Sequence, residues 1–320
     1  MRLLAGYPQV RVLGLSRAAI TTDDRAVALD ELFAAHGGLA TTDQLLATMS
    51  YRTLVRRIRD KQVVRVWHGV YAQHPPSTID RLTALDLVSG TSIVACMHTA
   101  AELHGFATEN DRRIHILDPG VRMRPSSELM VHQRIGAPLK RIHGRLATAP
   151  AWTAVELART LRRPRALAVL DAVLFRRCCA AADLRAAIDE QKGRRGIVKV
   201  RELIEYVDAR SESPLESEAR LVFIDGGLPR PELQYEIVDR CGKLWRVDFA
   251  WPEATVVAEY ESMEWHATPE ALRHDRMKVA RLQECGWTVI PMVVDDVRRY
   301  PLDLVARIST HLDRGTALAG

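Results

Sequence analysis

The chain has 320 residues, a formal net charge of +5, 47% hydrophobic and 27% charged residues, which describes an ordinary soluble protein long enough for two or three domains with cores of their own. Its five cysteines, Cys96, Cys178, Cys179, Cys241 and Cys285, form no CxxC pair, so a disulfide framework and a zinc site are excluded and a reduced, cytoplasmic setting is expected. No apolar run approaches membrane-spanning length, so no membrane partner is expected.

Residues 1–23 read as a loose N-terminal extension, because Arg11 and Arg17 interrupt the apolar character that a signal peptide would need. The first folded segment spans 24–77. RAVALDELFAAHGG is an amphipathic helix closed by a glycine pair. TTDQLLATM follows with Thr41 or Thr42 as cap, and Ser50 caps YRTLVRRIRDKQ. VVRVWHGVYAQH alternates as a strand pair around a His68-Gly69 turn. Three short helices followed by a hairpin is the order of a winged helix. Its third helix carries Arg52, Arg56, Arg57, Arg59 and Lys61 against Asp60, and Arg65 follows on the hairpin. In a helix-turn-helix this element enters the major groove; by itself the same pattern also describes a solvated basic face.

The middle segment, 78–208, begins with two helices around a short buried stretch, TIDRLTALDLVSGTSIVACMHTAAELHGF. RRIHILDPGVRMRPSSELMVHQRI reads as strands broken by a Pro-Gly turn. Basic residues from Arg112 to Arg145 outnumber their acids, with His115, His132 and His143 among them. Such a face suits nucleic acid or an acidic partner protein. Three helices complete the segment.

The last segment, 209–320, follows the linker DARSESP. SPLESEARLVFIDGG is a helix with Ser213 as cap and Pro214 at its first position. LQYEI, LWRVDFAW and TVVAEYE are strands; PEALRHDRMKVARLQECG is a long helix, WTVIPMVV a strand and YPLDLVARISTHLDR a final helix. VVAEYE places Glu259 and Glu261 on one face of a strand, and Asp248 lies within the preceding strand. Carboxylates in a sheet centre are costly unless compensated, and a divalent metal is the usual partner.

SPLESEARL, LQYEI, WRVDFAWPE, VVAEYESMEWH and HDRMKVARLQECGWTVI together resemble the PD-(D/E)XK nuclease superfamily, in the branch related to very-short-patch-repair endonucleases. The front part, with its winged helix and the segments HTAAELHGF, IHILDP and ATAPAWTAVELAR, resembles the AbiEi antitoxins and transcriptional regulators of type IV toxin–antitoxin systems. The two resemblances imply a multidomain α+β and α/β chain: a winged helix, an AbiEi-like α+β middle, and a restriction-endonuclease-like α/β domain with a mixed central sheet. The nuclease resemblance puts the helix acid on Glu216, the metal-bridging acid on Asp248 and the first acid of the (D/E)XK element on Glu259, with Gln234 as the polar residue of its strand. The lysine position falls on Glu261, followed by Ser262, which departs from the superfamily.

Phosphodiester hydrolysis needs a nucleophilic water and stabilisation of an anion-rich transition state, and a Mg2+ or Mn2+ ion can supply both. Asp248 and Glu259 are the candidate ligands, Glu216 acts through water, Glu261 could add a ligand for a second ion, and His266 could donate to the leaving oxygen or position a phosphate. Glu216 also reads as a first-turn acid favoured by the helix dipole, and His266 as a surface residue. The first reading is therefore a metal-dependent DNA endonuclease guided by the winged helix. The alternative is a non-catalytic AbiEi-type antitoxin or regulator that binds DNA through the winged helix and uses the nuclease fold as a scaffold, with a cognate toxin as partner of its middle segment. The missing lysine favours the second, and the retained acids favour the first.

Overall fold

The computed structural model describes residues 22–133, 136–261 and 269–319. Among them are thirteen α-helices and three sheets, so the fold is mixed α+β. The chain divides into two compact units, 1–88 and 89–320.

The first unit runs α1 (Thr22–Ala35), β1 (Leu39–Thr41), α2 (Thr42–Thr48), α3 (Tyr51–Arg59), β2 (Val64–Trp67), β3 (Val70–Ala72) and α4 (Thr78–Ser89). Local chemistry sets its boundaries. Thr41 accepts the Gln44 amide while the Gln44 side chain accepts the Thr41 amide, a reciprocal cap that starts α2. The Ser50 hydroxyl accepts the Thr53 amide at 3.2 Å and starts α3. Gly69, at φ 83°, turns β2 into β3. The strands pair antiparallel in the order β1-β3-β2. Phe33, Leu45, Leu54 and Tyr71 form one core cluster, and Leu39, Val66, Val70 and Ala84 form another. Ala84 belongs to α4, and the Trp67 indole donates to the Arg81 carbonyl at 2.7 Å. These contacts group α4 with the first unit, whereas the sequence reading opens the middle segment at residue 78.

The second unit begins with β4 (Val94–Ala95), α5 (Met97–His104), β5 (Ile114–Leu117), β6 (Leu129–His132), β7 (Leu139–Ile142) and β8 (Arg145–Thr148). The sheet order is β6-β5-β4-β8-β7, with both parallel and antiparallel pairs. The β7–β8 hairpin turns at His143 and Gly144, both at positive φ. The helices α6 (Pro150–Thr160), α7 (Arg163–Phe175), α8 (Ala181–Glu190) and α9 (Ile197–Leu203) follow it in sequence. Val155, Leu157, Leu167 and Leu170 of α6 and α7 sit in the largest core of this unit.

The chain continues through α10 (Pro214–Asp225), β9 (Glu232–Val238), β10 (Leu244–Trp251), β11 (Val256–Tyr260), α11 (Pro269–Glu284), β12 (Thr288–Met292), α12 (Val294–Arg298) and α13 (Pro301–Ala319). The sheet order is β12-β11-β10-β9. β11 and β12 pair in parallel, as the intervening helical crossover requires, while β9, β10 and β11 pair antiparallel. Phe249, Val256 and Ala258 pack with Phe223 of α10 and with Leu304 and Ile308 of α13. Trp245, Val247 and Val257 pack with Leu282 of α11 in a separate cluster.

Helices α7 and α10 are joined by a line of ion pairs. Arg163 bonds Asp225 at 3.0 Å, Arg165 bonds Glu218 at 2.7 Å, and Arg220 bonds Asp171 at 2.5 Å. Arg165 also bonds Glu109 at 2.6 Å, and Arg298 of α12 bonds Glu218 at 2.8 Å. Asp171 additionally accepts the Asp208 amide at 2.8 Å. Buried charges are tolerated when paired and hydrogen-bonded in this way. The line explains why the middle and C-terminal segments of the sequence reading cluster as one compact unit. No helix among the described residues is long and apolar enough to cross a membrane.

Candidate functional site: an acidic row and a basic helix

The acids converge because strand register puts them in line. Phe249 of β10 pairs with Ala258 of β11 and with Leu233 of β9. One step along, Asp248 therefore lies opposite Glu259 on one side and Gln234 on the other. Gln234 has φ 52°, in the left-handed region. Leu233 packs in the cluster with α10 and α13, whereas Tyr235 and Ile237 pack in the cluster with Leu282. The strand thus changes faces at Gln234, the kind of irregularity that re-aims a side chain. From α10, Glu216 reaches down to this row: its Oε2 accepts Gln234 Nε2 at 3.0 Å and the Glu212 amide at 3.0 Å.

Each acid has its own donor. Asp248 Oδ2 accepts the Tyr260 amide at 2.9 Å. Glu259 Oε1 accepts the ammonium of Lys278, which stands on α11. Burial and then the charge of Asp248 push Glu216 up to about 7. Burial also raises Asp248 and Glu259, while Lys278 pulls both the other way. The chemistry of this arrangement is a desolvated carboxylate cluster balanced by one ammonium. Among the described residues, no three His, Cys, Asp or Glu side chains are grouped so as to hold a metal ion, and lone pairs of all three acids are engaged by protein donors. One oxygen of each acid is thus taken by a protein donor.

Glu261 lies past the end of β11, exposed, with its amide donating to the Met292 carbonyl at 2.9 Å. His266 and Ser262 lie outside the described residues. The sequence reading missed Lys278. Its signal lay in helical spacing: Leu282 is the buried contact of α11, and Lys278 is one turn before it on the same stripe.

On α3, Leu54 is buried while Arg52, Arg56 and Arg59 are exposed, as are Lys61 beyond its end and Arg65 on β2. Arg57 is half-buried. The Arg65 guanidinium lies 5.9 Å from the Tyr71 ring centroid, and Arg59 bonds the adjacent Asp60 at 3.2 Å. A third polar cluster lies in the middle sheet. His115 is bonded to Asp111 at 3.1 Å through Nε2 and to His132 at 2.9 Å through Nδ1. Burial lowers His115 to about 4, against the opposing pull of Asp111.

Residues 93–206 match the model of the AbiEi antitoxin C-terminal domain. This stretch runs from just before β4 to just past α9 and contains the sheet with His115 and the partners of α10 on α7. The chain is also 59% identical over 266 residues to the uncharacterized proteins MT2308 and Rv2248, from two strains of Mycobacterium tuberculosis, covering 83% of this chain and 98% of each relative. The chain belongs to the same family as these two mycobacterial proteins, and its central stretch is similar to the AbiEi antitoxin C-terminal domain.

Proposed function

We propose that the chain is an AbiEi-type antitoxin and regulator that binds DNA through a winged helix at 24–77. In this reading the segment 78–208 serves a cognate toxin, and 209–320 is a nuclease-like fold used as a scaffold without catalysis. The observation that carries the reading is the match of residues 93–206 to the AbiEi antitoxin C-terminal domain. The order α1–β1–α2–α3–β2–β3 and the exposed arginines of α3 support DNA contact through that helix. Lysine and arginine contacts to phosphate make affinity salt-dependent, each contributing about one unit to the slope of log affinity against log salt. Gel shifts on the DNA upstream of the chain's own gene test it. Arg52→Ala with Arg56→Ala should weaken binding and lower the salt slope by roughly two. An unchanged slope removes α3 from the interface.

The row of Gln234, Asp248 and Glu259 with Glu216 above it supports a second reading, a Mg2+- or Mn2+-dependent DNA endonuclease. Two of these acids, Asp248 and Glu259, would then hold the ion, and Glu259 would first have to part from Lys278. A nicking assay in either metal, with Asp248→Ala as control, separates the two readings.

A further inference from the structure

The acidic row meets one ammonium at close range. Lys278 bonds Glu259, and its charge also lowers the cost of ionising Asp248 directly opposite. Both partners are largely buried, with side chains 19% and 14% exposed. The other charges that bear on the row are Glu212 and Arg246, bonded to each other at 3.0 Å, and Asp275 on the same helix as Lys278.

A lysine is a compact point charge with three donors on a flexible stem. An ammonium donates to carboxylate oxygens, whereas a divalent ion needs their lone pairs as ligands. Here one Glu259 oxygen is taken by the ammonium and one Asp248 oxygen by the Tyr260 amide. Lys278 also comes from the helix that follows β11, so the strand position where a lysine was expected, Glu261, is free to be acidic.

We propose that Lys278 is a built-in substitute for the metal ion, its ammonium standing where a divalent cation would neutralise Glu259 and Asp248. The row then keeps its nuclease-like acids yet takes up no Mg2+ or Mn2+. The proposal extends the regulator reading above, but its test contains no DNA, so either can fail alone.

The full-length protein is titrated with Mn2+ by calorimetry, and its thermal unfolding is followed with and without Mn2+. The wild type should bind none at millimolar metal and show no shift in melting temperature. Lys278→Met should melt lower and should gain Mn2+ affinity by at least about tenfold, the effect of removing one like charge at close range. Mn2+ should restore its melting temperature, and adding Asp248→Asn should abolish the gain. Lys278→Arg keeps the charge and should stay metal-blind. If Lys278→Met does not fold, Lys278→Gln carries the same test with a donor retained. The proposal is overturned by Mn2+ uptake in the wild type that Asp248→Asn removes. It is equally overturned by a folded Lys278→Met or Lys278→Gln that gains no affinity.

Discussion

Two buried side chains give the protein opposite responses to pH. Glu216 is held up near 7 by burial and the charge of Asp248, against an ordinary value of 4.5. Its native form binds the proton more tightly than the unfolded chain does. Its contribution to stability is therefore complete below about pH 4.5 and is lost as pH rises through 7. His115 is depressed by burial to about 4 from 6.5. Its native form binds the proton more weakly, so its contribution is complete above about pH 6.5 and is lost as pH falls through 4. Each span corresponds to at most about 3 kcal/mol. Unfolding measured from pH 4 to pH 8 should show Glu216→Gln more stable than the wild type at pH 8, with a flatter profile between pH 4.5 and 7. His115→Asn should flatten the acid side instead. Parallel profiles for wild type and both variants would contradict the assigned environments.

At the scale of elements, the helices and strands that announce themselves by caps and period were readable. Thr41, Ser50 and Ser213 sit where their side chains accept amides of the first helical turn, and β9, β10 and β11 alternate or run apolar as strands should. The β7–β8 hairpin was not readable, because Leu139, Lys140 and Arg141 of its edge strand are exposed and basic and look like loop. The acids of the site were legible as carboxylates in apolar strands, but their counterion was not. Lys278 is distant in sequence and meets Glu259 only because the crossover lays α11 back along the sheet. The same limitation hid the α7–α10 ion pairs, since nothing local in either helix names its partner. Of these, Asp171 and Arg220 are the most enclosed, at 1% and 7% side-chain exposure. Burial raises Asp171 against the pull of Arg220. Asp171→Ala should cost about 3–5 kcal/mol, because Arg220 is left charged and buried. Asp171→Leu with Arg220→Met should cost far less, and chemical denaturation of the three variants measures the difference.

At the scale of the whole molecule, the 59% identity to the mycobacterial relatives extends over 266 residues, well beyond the AbiEi stretch at 93–206. The likeness thus takes in more than the AbiEi stretch, and within this chain the charged seam ties α7 to α10. Glu218 and Arg220 of α10 find their opposite charges on α7. Expressed alone, 209–320 would keep the Arg298 bond to Glu218 but would carry Arg220 without Asp171 and lose the packing of α10 on α7, so it should be insoluble or molten, whereas 89–320 should unfold in a single cooperative transition. A soluble, sharply melting 209–320 would contradict this. For heredity the seam acts as a matching code: a C-terminal segment borrowed from a distant relative is accepted only if its helix brings the complementary signs.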